Sequence, residues 1–143
     1  MASYISVSLR RRIEQYDQGQ CRYCYTQAVN SGIPLSFEHI LPRSKGGQNT
    51  FENVCLACRS CNEFKASTTE GIDALTGEKA ALFNPRLQRW LDHFVWSEDG
   101  TRIEGITPVG RVTSKQLRMN HAAIVAARRR WVSSGWHPPL DLM

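Results

Sequence analysis

The stretch that decides the fold runs from residue 35 to residue 65, LSFEHILPRSKGGQNTFENVCLACRSCNEFK. Leu35-Ser36-Phe37-Glu38-His39-Ile40-Leu41 alternates roughly as a half-buried strand does, and Pro42, with no N–H to give a ladder, stops it. Arg43-Ser44-Lys45-Gly46-Gly47-Gln48-Asn49 is a basic loop rich in turn formers. Phe51 to Ala57 predicts a second short strand, and Ser60 through Ala66 a helix ended by Ser67-Thr68-Thr69. The resulting order is strand, loop, strand, helix.

Cysteines frame this unit. Cys21-Arg22-Tyr23-Cys24 precedes it and Cys58-Arg59-Ser60-Cys61 closes it. Each C-x2-C pair can set two thiolates about a tetrahedral apex, and two pairs complete an all-thiolate Zn2+ site. The interval between them exceeds the usual zinc-ribbon gap of roughly 15–20 residues, so a functional insertion is expected between the knuckles. Four sulfurs leave no open coordination position, which makes such a zinc structural. The fifth cysteine, Cys55, also stands in C-x2-C spacing with Cys58, and the run resembles a fragment of an iron–sulfur pattern without its fourth cysteine and proline. Within Val54-Cys55-Leu56-Ala57 it reads most simply as a small buried hydrophobe.

Upstream, Ile5, Leu9, Ile13 and Tyr16 recur at near-helical spacing with Arg10, Arg11 and Arg12 interleaved, predicting a short amphipathic helix capped by Ser8 or Ser6. Downstream, residues 71–143 lack cysteine. There Phe94-Val95-Trp96 and Arg102 to Ile106 predict a hairpin turning at Asp99-Gly100, and Ser114 to Ser133 a helix ended near Gly135. With no repeat or low-complexity linker, the expectation is one α+β domain over residues 1–143, its core at 5–67 and its extension at 71–143 packed on that core.

At 143 residues the chain is one domain's worth, and 41% hydrophobic and 22% charged residues are ordinary for a globular protein. A net charge of +5 favours a polyanionic partner. No stretch approaches the roughly 20 apolar residues of a membrane span, so no membrane partner is expected. The N-terminal MASYISVSLRRRIEQ turns charged without a signal-type apolar run. A cytoplasmic location is therefore expected, where reduced cysteines serve as metal ligands. The sequence leaves the oligomeric state open.

Read together, the two knuckles, Phe37-Glu38-His39 with Pro42, the Gly46-Gly47 loop, Glu52-Asn53-Val54 and Cys61-Asn62-Glu63-Phe64-Lys65 resemble, in order, the HNH endonucleases. The resemblance covers roughly residues 5–67. It implies a ββα-metal core stapled by the four-cysteine zinc site, and metal-dependent hydrolysis of phosphodiester bonds in DNA, with RNA not excluded. It implies His39 as general base, since an imidazole titrates near neutral pH, and Asn53 as the residue orienting the His39 ring. Glu38 and Asn62 match the ligands of a catalytic cation. Many members carry His where Asn62 stands, and the resulting all-oxygen pair suits Mg2+ or Mn2+. The site is similar to that of phage junction-resolving nucleases with a four-cysteine zinc.

Neighbouring residues on a strand face opposite ways, so Glu38 and His39 share a centre only if the strand ends or twists there. Arg43, Lys45, Arg59 and Lys65 flank the site as candidate phosphate contacts, and Arg10 to Arg12 with Arg128 to Arg130 form two further basic runs. The four tryptophans are expected in packing. The segment from Leu82-Phe83-Asn84-Pro85-Arg86 to Trp136-His137-Pro138-Pro139 resembles an extension on some stand-alone bacterial HNH proteins. A non-catalytic zinc ribbon that binds nucleic acid is the competing expectation.

Overall fold

A computed structural model describes residues 4–139. Helix α1 (Val7–Asp17) starts at Ser6, whose hydroxyl accepts the Leu9 N–H at 3.2 Å, so Ser6 rather than Ser8 is the cap. A short helix α2 (Ala28–Ser31) follows the first knuckle. Strands β1 (Ser36–His39) and β2 (Val54–Ala57) pair antiparallel, with Glu38 opposite Cys55 and His39 opposite Val54.

Both strands are shorter than the sequence predicts. The Ile40 N–H donates to the Asn53 carbonyl at 2.8 Å, and Phe51–Asn53 forms a 3-10 turn instead of the start of β2. All four residues of β2 are buried, because the strand is covered on both faces. Val54 and Leu56 pack with Ile5 and Ile13 under α1. Cys55 and Ala57 join the larger cluster around the knuckles. An apolar run without alternation is the sequence of such a strand. Helix α3 (Arg59–Lys65) then packs on β1, completing a ββα unit.

The second half holds two hairpins, β3 (Glu70–Ile72) with β4 (Lys79–Ala81) and β5 (Phe94–Trp96) with β6 (Ile103–Gly105). The first was not foreseen, since its three-residue strands are largely exposed and carry no apolar run. The single helix expected from Ser114 to Ser133 is two helices, α4 (Pro108–Gln116) and α5 (Ala122–Ser133). Thr107 caps α4, with Pro108 in its first turn. The chain leaves α4 with Arg118 at φ +48°, and His121 restarts it as the cap of α5. Between them Asn120 bonds both the N–H and the carbonyl of Ile103 at 2.8 Å, extending the edge of β6.

Glycines let α4 close on this hairpin. A Cβ on Gly105 would collide with the Arg111 backbone, and one on Gly110 with the His93 carbonyl. The second half is bound to the first by buried and part-buried hydrogen bonds. Trp90 Nε1 donates to the Tyr23 carbonyl at 2.8 Å, and Gln116 Nε2 to the Phe64 carbonyl at 2.9 Å. The Arg86 guanidinium reaches Asp17 at 2.7 and 3.1 Å. Among the described residues no helix is long and apolar enough to cross a membrane.

Candidate metal centre and active site

Cys21 and Cys24 lie on the turn after α1, and Cys58 and Cys61 at the start of α3. Their four sulfurs fall within 4.8 Å of one another, with Cys24 Sγ and Cys58 Sγ 3.6 Å apart. A tetrahedral site with Zn–S bonds near 2.3 Å separates its sulfurs by about 3.8 Å, so the cluster has the dimensions of a zinc site. In each knuckle the N–H of the second cysteine points at the first sulfur, 3.5 Å in both cases. Hydrogen bonds from the other thiols draw Cys24 well below the ordinary thiol range and push Cys58 and Cys61 up. A divalent cation bound here displaces those shared protons.

Cys55 is fully buried and stands outside the cluster, where burial raises its thiol far above the usual range. It is the small hydrophobe that its neighbours predicted, not part of an iron–sulfur set.

Arg128 departs from the expected basic run. It is fully buried, donating to the carbonyls of Thr101 at 3.0 Å and Met119 at 2.7 Å. Burial lowers its pKa and the charge of Cys24 opposes that shift. The guanidinium therefore ties α5 to the cysteine cluster and is not available to phosphate.

Alternation turns the Glu38 side chain toward α3 and the His39 ring toward the loop after Pro42. Strand β1 ends at His39, the strand end that a shared centre requires. Glu38 faces α3 and is 8% exposed; burial pushes its carboxyl up, against the pull of Lys65. Lys65 Nζ sits 3.1 Å from Glu38 Oε2 and donates to the His39 carbonyl, also at 3.1 Å. At 1% exposure Lys65 cannot be the phosphate contact expected of it. A long side chain at the last turn of α3 is drawn inward because β1 otherwise buries an unpaired carboxylate.

The His39 ring points to the loop after Pro42. Asn49 Nδ2 donates to the Tyr4 carbonyl at 2.8 Å, so Asn49 Oδ1 is the atom turned to the ring, and it accepts from His39 Nε2 at 2.7 Å. The neutral imidazole thus carries its hydrogen on Nε2 and keeps the Nδ1 lone pair. The contact expected from Asn53 is made by Asn49. Asn53 instead binds backbone, with Oδ1 accepting from the Leu41 N–H at 2.8 Å and Nδ2 donating to the carbonyls of Leu41 and Gln48, each at 3.0 Å. It clamps the chain where β1 ends. Gly47 serves the same closure, since a Cβ there would strike the Leu41 carbonyl. Asn49 went unnoticed in the sequence because a polar residue in a Gly-Gly loop reads as turn chemistry.

Asn62 stands one turn before Lys65 on α3, half-buried, and its side chain has no hydrogen bond among the described residues. Residues three apart share a helix face, so Asn62 belongs to the side of α3 that meets Glu38, although no hydrogen bond joins the two. The Glu38 carboxylate is paired with Lys65 and also accepts from the His39 N–H. A carboxylate and an amide oxygen form an all-oxygen pair of the kind that an oxygen-preferring dication takes while keeping most of its waters. Arg43 and Lys45 are exposed on a 3-10 turn, where Arg43 Nη1 reaches the Gly47 carbonyl at 3.3 Å. Arg59 is exposed and paired with Glu63 at 3.2 Å.

No curated protein and no solved structure gives a significant match to the chain. The family model described as HNH endonuclease matches residues 21–72, from the first zinc-site cysteine to the end of β3. The ββα unit and the four-cysteine cluster both fall inside this segment, which is similar to the HNH endonuclease family.

Proposed function

We propose that the protein is a metal-dependent endonuclease that hydrolyses DNA phosphodiester bonds, with His39 as general base. The observation that carries this reading is the hydrogen bond from His39 Nε2 to Asn49 Oδ1, which leaves Nδ1 as the basic nitrogen at the end of β1. Nδ1 takes the proton of the attacking water, and the Nε2–H···Oδ1 bond steadies the imidazolium that results. Glu38 and the Asn62 amide oxygen would hold Mg2+ or Mn2+. When bound, that ion polarises the phosphodiester and stabilises the departing 3′ oxygen. Lys65 fixes the Glu38 carboxylate and, through the His39 carbonyl, the strand end that carries the ring. Arg10 and Arg12 lie over Phe37 and Phe51 on α1, and with Arg43 and Lys45 they supply cations for phosphate on the His39 side.

Plasmid cleavage tests the reading. Zinc-loaded wild type should cut with Mg2+ or Mn2+ and stop with a chelator selective for those ions. His39→Ala should keep zinc and fold yet lose roughly 10²–10⁴-fold in rate. Undiminished cutting by His39→Ala would sink the assignment of the base. A wild type that binds DNA but never cuts it would leave the non-catalytic zinc module as the function.

A further inference from the structure

The net charge of the chain is not spread along it. Residues 1–104 hold equal numbers of Lys/Arg and Asp/Glu, whereas residues 105–140 hold six Lys/Arg and no Asp/Glu. The whole excess therefore arises in the segment that forms α4 and α5, outside the matched nuclease segment. Two of the six cations are spent internally: Arg128 is buried, and Arg111 is paired with Asp73 at 2.9 Å. Lys115 and Arg118 are exposed at the end of α4, and neither has a carboxylate partner among the described residues. Of the acids beside the chain segments that line this region, Glu63 is paired with Arg59, Glu70 with Lys79 and Asp73 with Arg111, while Glu104 stays exposed next to Gly105.

Lys115 and Arg118 also form the wall shared by two depressions. One, of about 590 Å³, lies between α4 and the edge made by Phe64 and Ile72. The other, of about 460 Å³, runs on past Ser114 to Asn120 and His121. The Arg118 guanidinium rests over the Phe64 ring at 4.8 Å, which holds it in place at the groove. Phe64 sits on α3 between Asn62 and Lys65, but on the opposite flank of the helix from Asn62. The groove and Asn62 thus lie on opposite flanks of α3, one helix diameter apart, roughly 10 Å. A duplex touching both spans well under one turn of roughly 34 Å.

We infer that this groove, walled by Lys115 and Arg118, holds the phosphate backbone of duplex DNA, so that the C-terminal half supplies a second anchor for the strand presented to His39. The inference rests on the nuclease reading for its choice of partner. The two cations contact phosphate and read no base, so they strengthen binding to all sequences alike.

Fluorescence anisotropy with a labelled 30-base-pair duplex, zinc-loaded full-length protein and no added Mg2+ tests it over a series of salt concentrations. The double variant Lys115→Ala/Arg118→Ala should reduce the slope of log K against log salt by roughly two, near 0.9 per lost phosphate contact. Lys115→Arg should keep the slope, and Arg89→Ala, an exposed cation outside the lining of both depressions, should not change it. If the double variant misfolds by circular dichroism and zinc content, Lys115→Ala alone should reduce the slope by roughly one. An unchanged slope in a folded variant would overturn the groove. The two readings fail separately: His39-dependent cutting with an unchanged slope removes the groove alone, whereas the predicted slope change without any cutting removes the reaction alone.

Discussion

At the scale of single residues, the nuclease reading turns on which nitrogen of His39 is free. The ring acceptor is an amide whose own N–H2 is held by the Tyr4 carbonyl, so one tautomer is selected by a carbonyl 35 residues upstream of the ring. Asn49→Ala removes the acceptor and lets the ring turn. The expected result is a fall in kcat of about 10–100-fold, the usual scale for partners one shell out from a reacting group, with KM and zinc content little changed. Asn49→Asp keeps an acceptor oxygen and should recover most of the rate; equal losses in both variants would argue against a positioning role. His137 makes a second residue-scale prediction. It lies between Trp96 and Trp131, at ring distances of 4.5 and 5.8 Å, and neither ring nitrogen has a partner among the described residues. Burial, helped by the nearby Arg128 charge, pulls its imidazole down to about 4. The unfolded chain binds this proton near 6.5 and the folded one near 4, so stability from His137 is complete above 6.5 and is lost as pH falls through that window. The loss is on the order of 3 kcal/mol. His137→Phe should flatten that part of the dependence of Tm on pH, and parallel curves for variant and wild type would refute it.

Elements explain why some of this was legible and some was not. The ββα order, the helix ahead of it and the β5–β6 hairpin follow from local signals: an alternating run stopped by Pro42, a serine cap, and Asp99-Gly100. The cysteine frame follows from spacing. What escaped was decided across elements. Lys45 and Lys65 look alike in the sequence, yet packing on β1 buries one and leaves the other in solvent. The break between α4 and α5 depends on Asn120 pairing with β6, a partner 17 residues away. Arg86 is the extreme case, since nothing near it in the sequence marks it as more than a surface charge. Its guanidinium binds both Asp17 oxygens and the carbonyls of Phe51 and Val54, with Asp17 also accepting from the Leu56 N–H at 2.9 Å. One side chain thereby ties α1, the turn before β2 and the second half together. Arg86→Ala leaves the buried Asp17 carboxylate only the more distant Arg22 Nε, at 3.7 Å, as charge partner, and should cost roughly 3–5 kcal/mol in a denaturant titration of zinc-loaded protein. Arg86→Lys should recover only part, because an ammonium cannot reproduce the fork. A loss under about 1 kcal/mol for Arg86→Ala would mean that Asp17 finds another partner.

At the scale of the whole molecule, the cysteine cluster belongs to both halves. Cys21, Cys24 and Cys61 pack in one core with Phe83, Trp90, Phe94 and Leu117, all from the second half. Arg128 reaches the same sulfurs from α5. Binding of zinc at such a site is worth roughly 10–16 kcal/mol, whereas a domain of this size has a net stability of about 5–15 kcal/mol. Removing the ion therefore outweighs everything else that holds the fold, and the loss is not confined to the knuckles, because half of the core they anchor comes from residues beyond 80. Chelation should release zinc, helix content and the emission shift of Trp90 and Trp96 in one coincident transition. Cys21→Ala and Cys58→Ala should reproduce that state without chelator, as insoluble or molten protein. The decisive measurement follows zinc release with a metal indicator while recording tryptophan fluorescence on the same sample. If the metal leaves and the tryptophans keep their buried emission, the second half stands on its own core and the cluster staples only the nuclease segment. If the two signals fall together, the extension and the ββα unit are one cooperative body, and the groove on α4 is held rigidly against the strand that carries His39.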